Sequence, residues 1–130
     1  MTPPRILVVD DEQHIVQVLS LTLRRAGYDV ITATDGDAAW RAIENDEPDL
    51  LITDESMPGI TGTQLIERLQ HHRDHAELPI LIITARRMAI EPHDHHAVTA
   101  ILPKPFSPRE VLSKVHDLVG EASVQQEIEL

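Results

Sequence analysis

Cysteine is missing from the 130 residues, which excludes a disulfide framework and a thiol redox centre. Aromatic side chains are nearly missing too: one Trp, one Tyr and one Phe, 2% of the sequence, argue against a flavin cleft walled by rings. Trp40, Tyr28 and Phe106 are assigned to packing and not to a binding platform. No apolar run approaches the roughly 18 residues of a membrane span. Basic residues are scarce as well, 11 against 22 acidic, and the formal net charge of −11 repels nucleic acid and anionic membranes. Protein partners, cations or both are expected, with no nucleic acid and no membrane. Met1–Pro4 are too few and too polar for a secretory signal, so a cytoplasmic location is expected.

What remains is an ordinary globular composition, 42% hydrophobic, in a chain of one-domain length. Short aliphatic runs at Arg5–Val9, Val30–Ala33, Leu50–Thr53, Ile80–Thr84 and Thr99–Leu102 alternate with amphipathic stretches. Runs such as LLIT and ILIIT do not alternate polar with apolar, so these five strands should be covered on both faces, as in a parallel sheet. Ile15, Val18, Leu19, Thr22, Leu23 and Ala26 recur at helical spacing before a stop at Gly27. Asp35 is placed to cap a helix over Gly36–Asn45, with Ala38, Ala39, Ala42 and Ile43 as a close-packing stripe. Thr61 with Gln64 forms a capping box for a helix that ends near His72. Ser107, Pro108 and Glu110 start a further helix, which Gly120 follows. In the segment RRMAIEPHDHHA, where another crossover helix belongs, Pro92 predicts a short or irregular element.

This alternation implies an α/β fold with a doubly wound five-stranded parallel sheet and flanking helices. Function in such sheets gathers at the carboxyl ends of the strands. Every unusual polar residue stands there. Asp10 and Asp11 end the first strand, Asp54 the third and Thr84 the fourth, and Lys104 lies just past the fifth. In the common order 2-1-3-4-5 strands one and three are neighbours, so the three aspartates converge. Crowded carboxylates are costly unless a cation neutralises them, and hard oxygen ligands favour a magnesium-like ion. Lys104 supplies a point charge and Thr84 a hydroxyl, both suited to phosphoryl oxygens. A carboxylate nucleophile, a metal and a lysine make a minimal phosphoryl-transfer set, with the solitary Asp54 as the reacting acid.

The motifs VVDDE, LLITDESMPGITG, ILIITA and LPKPF together resemble those of the receiver domain of two-component response regulators, over about Arg5 to Val119. The resemblance implies the flavodoxin-like strand order 2-1-3-4-5, for which a chemotaxis member of this family is a standard example. It implies that Asp54 is phosphorylated by a histidine kinase or histidine phosphotransfer protein. Mg2+ would be held by Asp11, Asp54 and the carbonyl of Ser56, with Asp10 acting through water. Thr84 and Lys104 would bind the phosphoryl group, and the Lys104–Pro105 bond would be cis. The expected organisation is a receiver domain over residues 1–120 with a short tail over 121–130 and no output domain. On this view the protein is no enzyme beyond its own phosphorylation and dephosphorylation, and it signals through protein contacts.

Two departures stand out. Ile101 occupies the place where the family usually has tyrosine or phenylalanine, and Ala97–Val98 stand at its usual glycine-alanine pair. Without a ring at 101, phosphorylation is expected to shift Ala85–Ala97 instead. A metal-dependent phosphohydrolase is the rival enzyme, but the haloacid-dehalogenase type carries its first aspartates two apart, whereas Asp10 and Asp11 are adjacent. A flavodoxin-like redox carrier would want a hydroxyl-rich loop where DDEQH stands. A degenerate receiver acting as a constitutive interaction module is the third alternative, against which the retained site residues count. His71, His72, His75, His93, His95 and His96 match no closed set of four metal ligands and read as solvated surface.

Overall fold

The computed structural model of the protein describes residues 2–54, 62–72, 74, 77–85 and 98–120, within which five aliphatic runs form five parallel strands. They are β1 (Arg5–Val9), β2 (Asp29–Ala33), β3 (Leu50–Thr53), β4 (Ile80–Thr84) and β5 (Val98–Pro103). Between and after them run α1 (Gln13–Arg25), α2 (Gly36–Asp46), α3 (Gly62–Gln70) and α4 (Pro108–Val119). The sheet order is β2-β1-β3-β4-β5, as the doubly wound reading requires. Several strand and helix limits differ from the periodicity. β5 gains one residue at each end by pairing with β4, β2 gains Asp29, α1 starts two residues earlier at Gln13, α2 runs one residue further to Asp46, and α3 stops at Gln70. Thr61, Pro92 and the whole of 86–97 lie outside the described residues, as do Ser56 and 121–130.

Aliphatic runs without alternation are explained by two cores, one on each face of the sheet. Along β1, Leu7 and Val9 join Ala39 and Ile43 of α2 and Leu65 and Leu69 of α3. Ile6 and Val8 point the other way, to Leu19 and Leu23 of α1 and Val111 and Val115 of α4. The period of two along a strand forces this division. Full burial of each such leucine, isoleucine or valine contributes about 1.5–3 kcal/mol relative to exposure. Ile101 is half-buried against the first core and Phe106 against the second. Trp40 sits half-buried beside α3, with the Arg68 guanidinium 5.2 Å from its ring centre and the His72 ring edge-on at 5.6 Å.

Local signals end the helices where expected. The Asp35 side chain accepts the Ala38 N–H at 2.7 Å and starts α2. Gly27, with φ of 100°, takes the left-handed turn after α1 that other residues resist. His71 follows α3, its Nδ1 lying 2.8 Å from the Glu67 carbonyl oxygen. At α4 the reciprocal box is complete: Ser107 Oγ accepts the Glu110 N–H at 3.2 Å, and Glu110 Oε1 accepts the Ser107 N–H at 2.8 Å. That cap lies three residues beyond Lys104 and sets the direction in which the chain leaves β5. The Tyr28 hydroxyl donates to the Gly120 carbonyl at 2.7 Å and ties the far end of α4 to the start of β2.

Ser107→Ala should cost about 1 kcal/mol, the usual worth of such a cap. Urea denaturation followed by circular dichroism measures it, and a midpoint equal to wild type would show that the box carries no load.

Candidate functional site

Register brings the polar strand ends together. Val9 of β1 pairs with Thr53 of β3, so Asp10 and Asp54 extend neighbouring strands about 4.8 Å apart. Asp10, Asp54 and Lys104 each lie two residues beyond a member of one core, Val8, Ile52 and Leu102 respectively. Alternation therefore sends all three toward the same side of the sheet, above the layer that α1 and α4 cover. Thr84 ends β4 opposite Pro103 and is buried, and its carbonyl accepts the Lys104 N–H at 3.0 Å. That bond fixes the lysine backbone at the carboxyl edge. The Lys104–Pro105 peptide is cis, in agreement with the sequence reading.

The lysine ammonium is the centre of the arrangement. Lys104 Nζ donates to Asp54 Oδ2 at 2.8 Å, to Asp10 Oδ2 at 3.1 Å and to Glu12 Oε1 at 3.4 Å. Among the described residues Asp10, Glu12 and Asp54 offer carboxylate oxygens that all lie within 4.8 Å of one another. Such hard oxygen donors fit a magnesium-like ion, which keeps several waters. Asp10 and Asp54 are buried in this group, whereas Asp11 is exposed and is not one of its members. Ser56, the expected carbonyl donor, lies outside the described residues.

Glu12 is the residue that sequence reasoning passed over. Its N–H donates to Asp10 Oδ1 at 3.0 Å, an aspartate turn of two residues that folds the chain back over the strand end. A signal was present in the run DDE: an acid two residues after Asp10 comes back to the side of its neighbour when such a turn forms.

Charge and burial compete within the group. Burial pushes the Asp10 carboxyl above the ordinary carboxylate range, outweighing the Glu12 N–H and the Lys104 ammonium, which pull it down; Asp54 adds to the rise. Burial works against the Lys104 charge as well, but the hydrogen bonds to Asp54 and Asp10 and their charges prevail and raise it above the ordinary lysine range. The ammonium therefore stays charged throughout physiological pH.

Known proteins share this arrangement of elements. A family model for the response regulator receiver domain matches residues 6–116. The alkaline phosphatase synthesis transcriptional regulatory protein PhoP of Bacillus subtilis is 37% identical over 122 residues, covering 92% of this chain and 50% of that protein. The chain spans about half the length of the curated relatives it matches. A putative response regulator from Chloroflexus aurantiacus superposes with a TM-score of 0.80 at 34% identity, covering 92% of this chain and 100% of that one. The chemotaxis response regulator CheY4 of Vibrio cholerae gives a TM-score of 0.79 at 31% identity, covering 90% of this chain and 99% of that one.

The Asp10 shift predicts a pH-dependent stability. Because its folded value lies above the unfolded one, what Asp10 contributes is fully present below the unfolded carboxylate value and is lost as pH rises through the folded value. Asp10→Asn should therefore melt at a higher temperature than wild type at neutral pH in chelator. The gap should close as pH falls toward 3.8, the ordinary aspartate value. A lower melting temperature for the variant at neutral pH would mean that the Lys104 pairing outweighs the burial of the charge.

Proposed function

The chain belongs to the response regulator receiver domain family, and from that premise we propose that Asp54 accepts a phosphoryl group from a histidine kinase or histidine phosphotransfer protein. The observation that carries this reading is the Asp54 carboxylate, buried at a strand end with the Lys104 ammonium 2.8 Å away. In the transfer, an Asp54 oxygen forms a bond to phosphorus while the phosphorus–nitrogen bond of the donor histidine breaks. The electron pair leaves with the imidazole nitrogen. Lys104 neutralises phosphoryl oxygens on one side and the Thr84 hydroxyl donates to them on the other. Asp10, Asp11 and Asp54, with the Ser56 carbonyl, are the proposed holders of Mg2+, which supplies charge neutralisation at those same oxygens. The fixed Lys104 backbone and the buried carboxylates hold this geometry before any donor arrives, so catalysis is mainly positioning.

The reaction is confined to the domain itself: it gains and loses its own phosphoryl group and does not turn over a separate substrate. Its partners in this reading are proteins, the phosphodonor and a downstream target, because a net charge of −11 repels nucleic acid. Among the described residues no helix is long and apolar enough to cross a membrane. We place the domain in the cytoplasm, where histidine kinases present their phosphodonor. Ile101, a β5 residue half-buried against the core that α2 and α3 cover, has no ring to reorient, so the response is assigned to residues 85–97, of which 86–97 lie outside the described residues.

Acetyl phosphate with Mg2+ should add a single phosphoryl group, detectable by intact mass, and peptide mapping should place it on Asp54. Asp54→Asn and chelator should each abolish the modification. Addition that survives either one would refute the assignment, and release of phosphate from an unrelated ester over many turnovers would favour a phosphohydrolase.

A further inference from the structure

Lys104 has three N–H donors, and in the free protein three carboxylates occupy them. A phosphoryl group on Asp54 that is to be held by this lysine needs one donor released. Resting on the phosphoacceptor reading of Asp54, we propose that Glu12 is the placeholder: it holds the third donor of Lys104 in the free protein and gives it up to the phosphoryl group.

The three acids differ in how easily they let go. Asp10 has a side chain only 3% exposed and is also held by the Glu12 N–H, so releasing it would strand a buried acceptor. Asp54 is the acceptor itself and stays. The Glu12 side chain is 52% exposed, makes the longest of the three contacts at 3.4 Å, and can pass to water at little cost. It also sits at the start of α1 without any side-chain capping bond, so its carboxylate has no helix-capping duty. Until displaced, that carboxylate competes with an incoming anionic phosphodonor, both for the lysine and by simple repulsion. Glu12 is thus a positioning residue that sets how readily Lys104 is available, distinct from the acids that hold the metal.

Glu12→Gln removes the competing charge and keeps the shape. At saturating Mg2+ it should bind beryllofluoride, a phosphoryl mimic, more tightly and take phosphate from acetyl phosphate faster, each by about two- to fivefold, the worth of one exposed ion pair. In the acetyl phosphate reaction an Asp54 oxygen bonds to phosphorus and acetate leaves with the electron pair. Glu12→Ala should act in the same direction. The advantage of both variants should shrink in high salt, which a packing effect would not do. Mg2+ affinity, followed by amide chemical shifts without any phosphodonor, should change by less than about threefold, since a lost ligand typically costs far more. Unchanged or weaker beryllofluoride binding in the variants would overturn the proposal, and so would a tenfold loss of Mg2+ affinity, which would make Glu12 a ligand. A wild-type protein that takes up neither beryllofluoride nor phosphate would overturn the phosphoacceptor reading itself, a result distinguishable from the others because it precedes any comparison of variants.

Discussion

The contact on which the site depends is the Lys104 ammonium among Asp10, Glu12 and Asp54. Two like charges about 4 Å apart repel by roughly 4 kcal/mol at an effective dielectric near 20. Three carboxylates so placed would open the carboxyl edge of the sheet if nothing intervened. One cation touching all three opposes each of the mutual repulsions with an attraction of similar size. It does so from a different strand, so the side chains that follow β1, β3 and β5 are drawn together beyond the last backbone bonds of the sheet, Asp10 N–H to Ala33, Asp54 N–H to Val9 and Lys104 N–H to Thr84. Breaking a pair of this kind leaves a buried charge unmatched, which is costlier than never having built it.

The sheet delivers that contact by counting. Parallel strands in register place their last residues side by side, and a period of two decides which face each next side chain takes. Val8 and Asp10, Ile52 and Asp54, Leu102 and Lys104 are three instances of one step from apolar core to polar rim. The same residues that make the strands water-free thus fix where the charges emerge. Thr84 adds a backbone bond to Lys104, so the lysine is held by the sheet edge on its main chain and by the acids on its side chain.

Much of this was legible because it follows from local rules. Three strand limits coincide with the aliphatic runs, and the Asp35 and Ser107 caps stand where the residue types require them. Asp10, Asp54 and Lys104 were recognisable as unusual residues at strand ends. The convergence of all three aspartates was an overreading of adjacent acids: alternation after Val8 turns Asp10 inward, where it is 2% exposed and held by Lys104 and the Glu12 N–H, and leaves Asp11 solvated. Glu12 was missed for another reason. An acid at the start of a helix has an ordinary role there, and its approach to Lys104 is a contact across 92 residues that no local pattern encodes. The Thr61 cap and the Pro92 interruption, read from the residues themselves, and the Ser56 carbonyl, implied by the resemblance, fall outside the described residues.

Charge balance links the free site to the chemistry proposed for it. With its three acids ionised against one ammonium, the group carries a net charge of −2. The upward push on Asp10 comes first from the burial of its charge, to which the neighbouring Asp54 adds. A divalent cation brings such a group to neutrality, whereas a monovalent one leaves half the excess. A phosphoryl group arriving afterwards restores negative charge beside a lysine that already has its donors filled. Retention of that group therefore requires the lysine to exchange an acid for it, and the acid nearest to water is the one that exchange displaces at least cost.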